Sequence, residues 1–385
     1  MNGLLQSVLM LGLVCLLTGT HPISSWAEDN SILIASIFAH TGLASEENSP
    51  NYLMTRLAAK AVNEKGGVLG RQIKLIEIDN QSTAIGSYQA AKKAVEMRVS
   101  AVVGPSWSSH AMVMAPVLQL AGIPMIGATT TAPRVTEVGN YIFRACYTNS
   151  SQAKALAQFA TDDLSARTAA IMVIAGDEYS EDLAAVFQQS FRQLGGRVLL
   201  KESYLLSSMD FSKQLKAIQE ADPDLVFAPG FARDSGMILV QARNMGLTMP
   251  FLGGDGWTAL EQYPYISDLK GENYYVSHWH PTDESPASKA FVSYIRKELG
   301  PAAMQHIDTG NPLAYDAMAL IADAIRRAGS SDPDAIRDAL EQTVNFPGVT
   351  GNITFGGFRN PRKPIVILRI SGKRVHFVKN ISPRQ

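Results

Sequence analysis

Between residues 30 and 260 short apolar runs alternate with amphipathic stretches of helical period, and this rhythm is the feature that most limits the fold. ILIASIF (32–38) is rich in β-formers. The stretch after it opens with Ser49-Pro50, a cap residue followed by proline at the first helical position. Leu53, Leu57, Ala61 and Val62 then share one helical face, and Gly66-Gly67 ends it. QIKLIEID (72–79), a helix near 83–98, SAVVG (100–104), a helix near 109–121 and PMIGA (124–128) continue the series. Strand and helix in strict turn predict a parallel sheet with helices on both faces.

The rhythm then begins again. AAIMVIAG (169–176), a helix to Gly195, RVLLKESYL (197–205), DLVFAPG (224–230), a helix to Gly246 and PFLGGDGW (250–257) form a second series. A helix ending in Gly-Gly before an Arg-led strand occurs in both. Two similar doubly wound α/β lobes are the simplest account, and the 385 residues are ample for two cores at roughly 150 residues each. PIVILRI-SGK-RVHFV (364–378) predicts a hairpin turning at Gly372.

The first 27 residues differ. LLQSVLMLGLVCLLTGT carries no charge, Pro22 breaks it, and Ser25 and Ala27 are the small residues a signal peptidase requires. A cleaved secretory signal over 1–27 is expected. No Lys or Arg precedes the apolar run, and a membrane anchor is the rival reading, but about 17 residues are short for a span of roughly 20. Val14 fits lipid modification of Cys15 poorly. Removal of this segment leaves Cys146 as the one cysteine, excluding an intrachain disulfide and a multi-cysteine metal site.

Charge narrows the partners. The formal net charge of −1 gives no footprint for nucleic acid, and no basic block suits an acidic membrane.

In open parallel sheets, ligands bind beyond the carboxyl ends of strands. There the chain places GPSWSSHAM (104–112) and GATTTAP (127–133), whose Ser108, Ser109, Thr129, Thr130 and Thr131 bring hydroxyls and free N–H groups beneath helix N-termini. That suits a carboxylate; capping of the next helix is the plainer use of the same hydroxyls. LGGDGWTA (252–259) places Asp255 between glycines, where an acid could meet an ammonium group or simply end a turn. Trp107, Trp257 and Trp279 lie in or beside such loops, as core residues or as walls of a pocket. Enzyme signatures fail: there is no G-x-S-x-G elbow, no H-E-x-x-H and no Walker loop. His278 and His280 would share a side of a strand as metal ligands do, but no third ligand is near in sequence, so no metal or cofactor is expected.

Five motifs, AVNEKGGVLGRQIKLIEIDNQS (61–82), AVVGPSWSS (101–109), IPMIGATTTAP (123–133), DFSKQLKAIQEADPDLVFAPG (210–230) and PFLGGDGW (250–257), carry a likeness in their order and spacing. From about 30 to 380 the chain resembles the type I periplasmic solute-binding proteins of the branched-chain amino acid (Leu/Ile/Val-binding) group of ABC importers. The resemblance implies two lobes joined by a three-strand hinge. The lobes would interleave as 28–147 plus 276–354 and 148–275 plus 355–385, with crossings near 147, 276 and 355. It implies a periplasmic carrier of a small solute in which Ser108, Thr129 and Thr131 hold the ligand carboxylate, Asp255 its ammonium, and Tyr179 and Phe231 close over its side chain, with Trp107 and Trp257 expected as further walls of that pocket. The implied partners are a small, aliphatic or branched-chain amino acid and an inner-membrane permease, with the protein a monomer. His40-Thr41-Gly42 and Glu46-Glu47 depart from the family pattern in the first loop, as do SHWHP (277–281) and Phe231, and all three bear on side-chain recognition. An aromatic acid or a short amide as cargo, or a sensory role for the same fold, are the alternatives.

Overall fold

The computed structural model describes residues 30–305, 307–355 and 359–382; the expected signal segment lies outside them. Two sheets form the frame. The first holds β1 (Ile32–Phe38), β2 (Ile73–Asp79), β3 (Ala101–Val103), β4 (Met125–Gly127) and β5 (Ile142–Arg144), all parallel, in the order β2-β1-β3-β4-β5. The second holds β6 (Thr168–Ile174), β7 (Arg197–Tyr204), β8 (Leu225–Phe227), β9 (Phe251–Gly253) and β10 (Asn273–Ser277). A small ribbon, β11 (Phe346–Gly348) with β12 (Gly351–Ile353), precedes the antiparallel hairpin β13 (Ile365–Ser371) and β14 (Arg374–Ile381). That hairpin turns at Gly372 and completes the order β14-β13-β10-β9-β8-β6-β7.

Burial on both faces explains the apolar runs in the sequence. In the first sheet Ile32, Ile34, Ala101 and Val103 enter one apolar cluster, while Ala35, Ile37 and Val102 enter another on the opposite face. The expected helices form over Pro50–Asn63, Ala84–Glu96, Ser108–Ala121, Glu178–Gln193 and Ala232–Asn244. β5 and β10, with three and five residues, are buried strands that the periodic reading passed over.

Three passages carry the chain between the sheets. One follows Arg144, one follows Ser277, and one lies between Phe355 and Ile365. Among the described residues no helix is long and apolar enough to cross a membrane.

Candidate functional site

Strand order reverses between β1 and β3 in the first sheet and between β6 and β8 in the second, so each sheet opens a crevice at the carboxyl ends of those strands. One cleft uses both crevices. Ser106, Trp107 and Ser108 follow β3 and Thr129 follows β4; Tyr179 follows β6, Phe231 follows β8 and Asp255 follows β9. The cleft holds about 480 Å³ of empty space, its mouth included.

On the first-sheet side the backbone does much of the placing. Gly104 has φ +100, and a Cβ there would lie 2.2 Å from the Ile37 carbonyl oxygen, so only glycine can make this turn. The turn delivers Ser108 as the first residue of a 14-residue helix whose N-terminus carries partial positive charge. Ser108 Oγ accepts from the Ala132 N–H at 3.2 Å, leaving its own proton for a ligand. Thr129 Oγ1 donates to the Ser106 carbonyl at 3.0 Å and would rotate to serve an anion. Behind them the fully buried Arg144 donates to the carbonyls of Thr130 (2.7 Å), Ala132 (2.9 Å) and Pro133 (3.2 Å) and to Thr136 Oγ1 (3.1 Å). This guanidinium fixes the threonine loop and sets a cation behind the seat. Arg144 carries no local sequence signal, because all its contacts are to a loop that the fold brings under it.

Thr131 departs from expectation. It is fully buried, its hydroxyl finds no partner among the described residues, and it does not line the cleft. The hold of Arg144 on the carbonyls either side accounts for this, because it turns that part of the loop into the protein. Capping is not the threonines' use either: the next helix, Arg134–Glu137, has Pro133 at its N-cap and no side-chain cap.

On the second-sheet side long side chains do the placing. Asp255 is 5% exposed. Its Oδ1 accepts from Gln152 Nε2 at 2.8 Å, and its N–H donates to Gln152 Oε1 at 3.1 Å. Its Oδ2 lies 2.9 Å from His278 Nε2. Burial holds His278 below the ordinary histidine pKa in spite of the neighbouring acid, so a neutral ring donates through Nε2. That ring stacks on Tyr147 with centroids 3.9 Å apart, joining the first and second passages between the sheets. Each Asp255 oxygen keeps lone-pair capacity for a further donor. The glycines beside Asp255 serve Tyr179: a Cβ on Gly254 would lie 2.3 Å from its hydroxyl, and the Gly256 N–H donates to that hydroxyl at 2.8 Å.

The rings meet across the cleft. Trp107 stacks on Phe231 at 3.9 Å and 10°, and Phe231 lies 5.5 Å from Tyr179. Trp257 does not join them, contrary to expectation. Its ring is fully buried against Gly253, where a Cβ would lie 2.1 Å from the indole, and its Nε1 donates to the Ala228 carbonyl at 2.9 Å. Gly253 thus makes room for a core tryptophan. His280 turns away from His278 to Thr282 Oγ1 at 2.7 Å.

A further wall escaped sequence reasoning. Asn48, Asn51, Asp308 and Asn311 line it, with Glu47 from the irregular first loop. Burial raises the Glu47 carboxyl to about 8, against the N–H of Arg233 and the Trp107 side chain, which favour its ionised form. Asp308 is raised to about 6 for the same reason.

Known proteins resemble the whole of this arrangement. The sequence profile of the periplasmic binding proteins matches residues 31–374. The Leu/Ile/Val-binding protein BraC3 of Rhizobium johnstonii is 27% identical over 301 residues, 78% of this chain and 80% of its own length. Among solved structures, the leucine-binding protein LivK of Thermotoga maritima superposes with a TM-score of 0.85 at 29% identity, covering 91% of this chain and 99% of that one. LivJ of Streptococcus pneumoniae, solved with isoleucine, gives 0.84 at 26% identity, covering 92% and 100%. With a profile match over nearly the whole described chain and the same two-sheet frame around one cleft, this protein belongs to the periplasmic binding protein family.

Proposed function

We propose that the protein captures a small α-amino acid between its two lobes outside the cytoplasm and delivers it to the permease of an ABC importer. Members of the family bind solutes and are not enzymes. The observation that carries the reading is the pairing, in one cleft, of a hydroxyl-lined helix N-terminus under a buried guanidinium with an enclosed acid on the other sheet. In this reading Ser108 and Thr129 receive the α-carboxylate, and Asp255 receives the α-ammonium. The aliphatic part of the side chain packs on Trp107, Tyr179 and Phe231, in keeping with the aliphatic ligands named for BraC3, LivK and LivJ.

Capture would proceed by hinge closure, the ligand's contacts with both sides drawing an open population to the closed one. The mature protein would be a periplasmic monomer formed by removal of the leader. Titration calorimetry of the mature chain with leucine, isoleucine, valine, alanine and threonine tests the proposal. Saturable binding of at least one of them is expected, weakened by both Ser108→Ala and Asp255→Asn. Binding indifferent to both substitutions would overturn it.

A further inference from the structure

The wall made by the loop after β1 and by residues 307–311 has no part in the scheme above. It is polar and built. Asn51 Nδ2 donates to Ser106 Oγ at 2.9 Å, Asn311 Nδ2 donates to Asn51 Oδ1 at 3.0 Å, and the Asp308 N–H donates to Asn311 Oδ1 at 3.2 Å. Asp308 Oδ1 in turn accepts from the N–H groups of Gly310 and Asn311. This network leaves the two asparagines no freedom to turn away from the cleft.

One acceptor stands on this wall beyond the network's needs, with a carboxyl beside it. Asn48 is 1% exposed and lines the cleft, and its Oδ1 is the one buried side-chain oxygen there without a partner among the described residues. The carboxyl of Glu47 lines the same space. Among the described residues no lysine or arginine side chain lines the cleft; the Glu47 carboxyl meets the Arg233 N–H and the Trp107 side chain, and Asn48 Oδ1 meets nothing. A buried acceptor left unpaired is costly, and a ligand that supplies the missing donor recovers that cost.

We propose that the solute carries a hydrogen-bond donor at the tip of its side chain, received by Asn48 Oδ1 and the Glu47 carboxyl, and that these two residues set the preference among amino acids. The inference rests on the amino acid reading above and deepens it: the rings take the hydrocarbon part, and the polar wall takes the end.

The test compares near-isosteres by titration calorimetry on the mature protein: threonine with valine, glutamine with methionine, and lysine with norleucine. In the pair that binds best, the donor-tipped member is expected to bind about tenfold or more tightly than its apolar partner. Asn48→Leu and Glu47→Leu should each shrink that ratio to within about threefold. Equal affinities, or a preference for the apolar member, in the wild-type protein would overturn the inference while leaving amino acid capture intact. Absence of binding by all six probes would overturn the inference, and the amino acid reading falls with it if leucine, isoleucine and alanine fail to bind as well. The wild-type ratios decide the matter even if one variant does not fold.

Discussion

The two sides of the cleft are built by different means. The first sheet offers main chain and short hydroxyls, set by the positive φ of Gly104 and by a helix start at Ser108. The second offers one carboxyl held by two side chains, one from the helix Asn149–Asp162 and one from the passage after β10. A backbone seat is rigid because its geometry is that of the fold; a side-chain clamp is only as well aimed as the partners that hold it. Changes on the first side should therefore cost stability as well as affinity, and changes on the second chiefly affinity.

The strongest way to break this contrast is Arg144→Met. The first side would lose four hydrogen bonds, and the buried carbonyl of Thr130 would lose its guanidinium donor, so a loss of about 3 kcal/mol in urea unfolding is expected. A variant as stable as wild type would mean that the seat does not depend on its guanidinium. Next comes Asp255→Asn. Leaving a ligand ammonium buried and unpaired should cost about 2 kcal/mol or more in affinity by calorimetry, with little change in unfolding. An unaltered affinity would take the acid out of recognition.

His278→Phe sharpens the contrast on a smaller scale. It keeps a ring against Tyr147 and removes the donor to Asp255, so about 1 kcal/mol of affinity should go while the unfolding midpoint moves little. Equal losses of stability and affinity would make His278 a plain packing residue. A fourth test concerns pH. Glu47 is raised in the folded protein from 4.5 to about 8, so its carboxyl takes up a proton on folding. The stability it adds is complete below about 4.5 and fades as pH rises towards about 8. Thermal melts across that window should slope less steeply with pH in Glu47→Gln, and parallel slopes would show that the group is solvated.

The sheets were legible because burial on both faces leaves continuous apolar runs separated by amphipathic helices, a pattern that survives without any knowledge of contacts. β5 and β10 were not, because Arg144 ends the one and Asn273 and Ser277 bracket the other, so neither stands out as an apolar run. Ser108, Thr129 and Asp255 could be placed because each lies just past a strand end. Gln152 could not, since it meets Asp255 across 103 residues of sequence. Arg144 likewise acquires its task only when the threonine loop folds over it. Trp257 and Thr131 misled for the converse reason: a loop motif announces flexibility or chemistry, whereas the side chain follows whichever space its neighbours leave, here above Gly253 and beneath the Arg144 clamp.

The stack of His278 on Tyr147 ties the grip on Asp255 to the segments about which, in the capture proposed above, the halves would swing. Parts near an axle travel least. A transporter that prises the molecule apart would therefore meet a solute still tethered by its amine, and cargo would leave carboxyl end first.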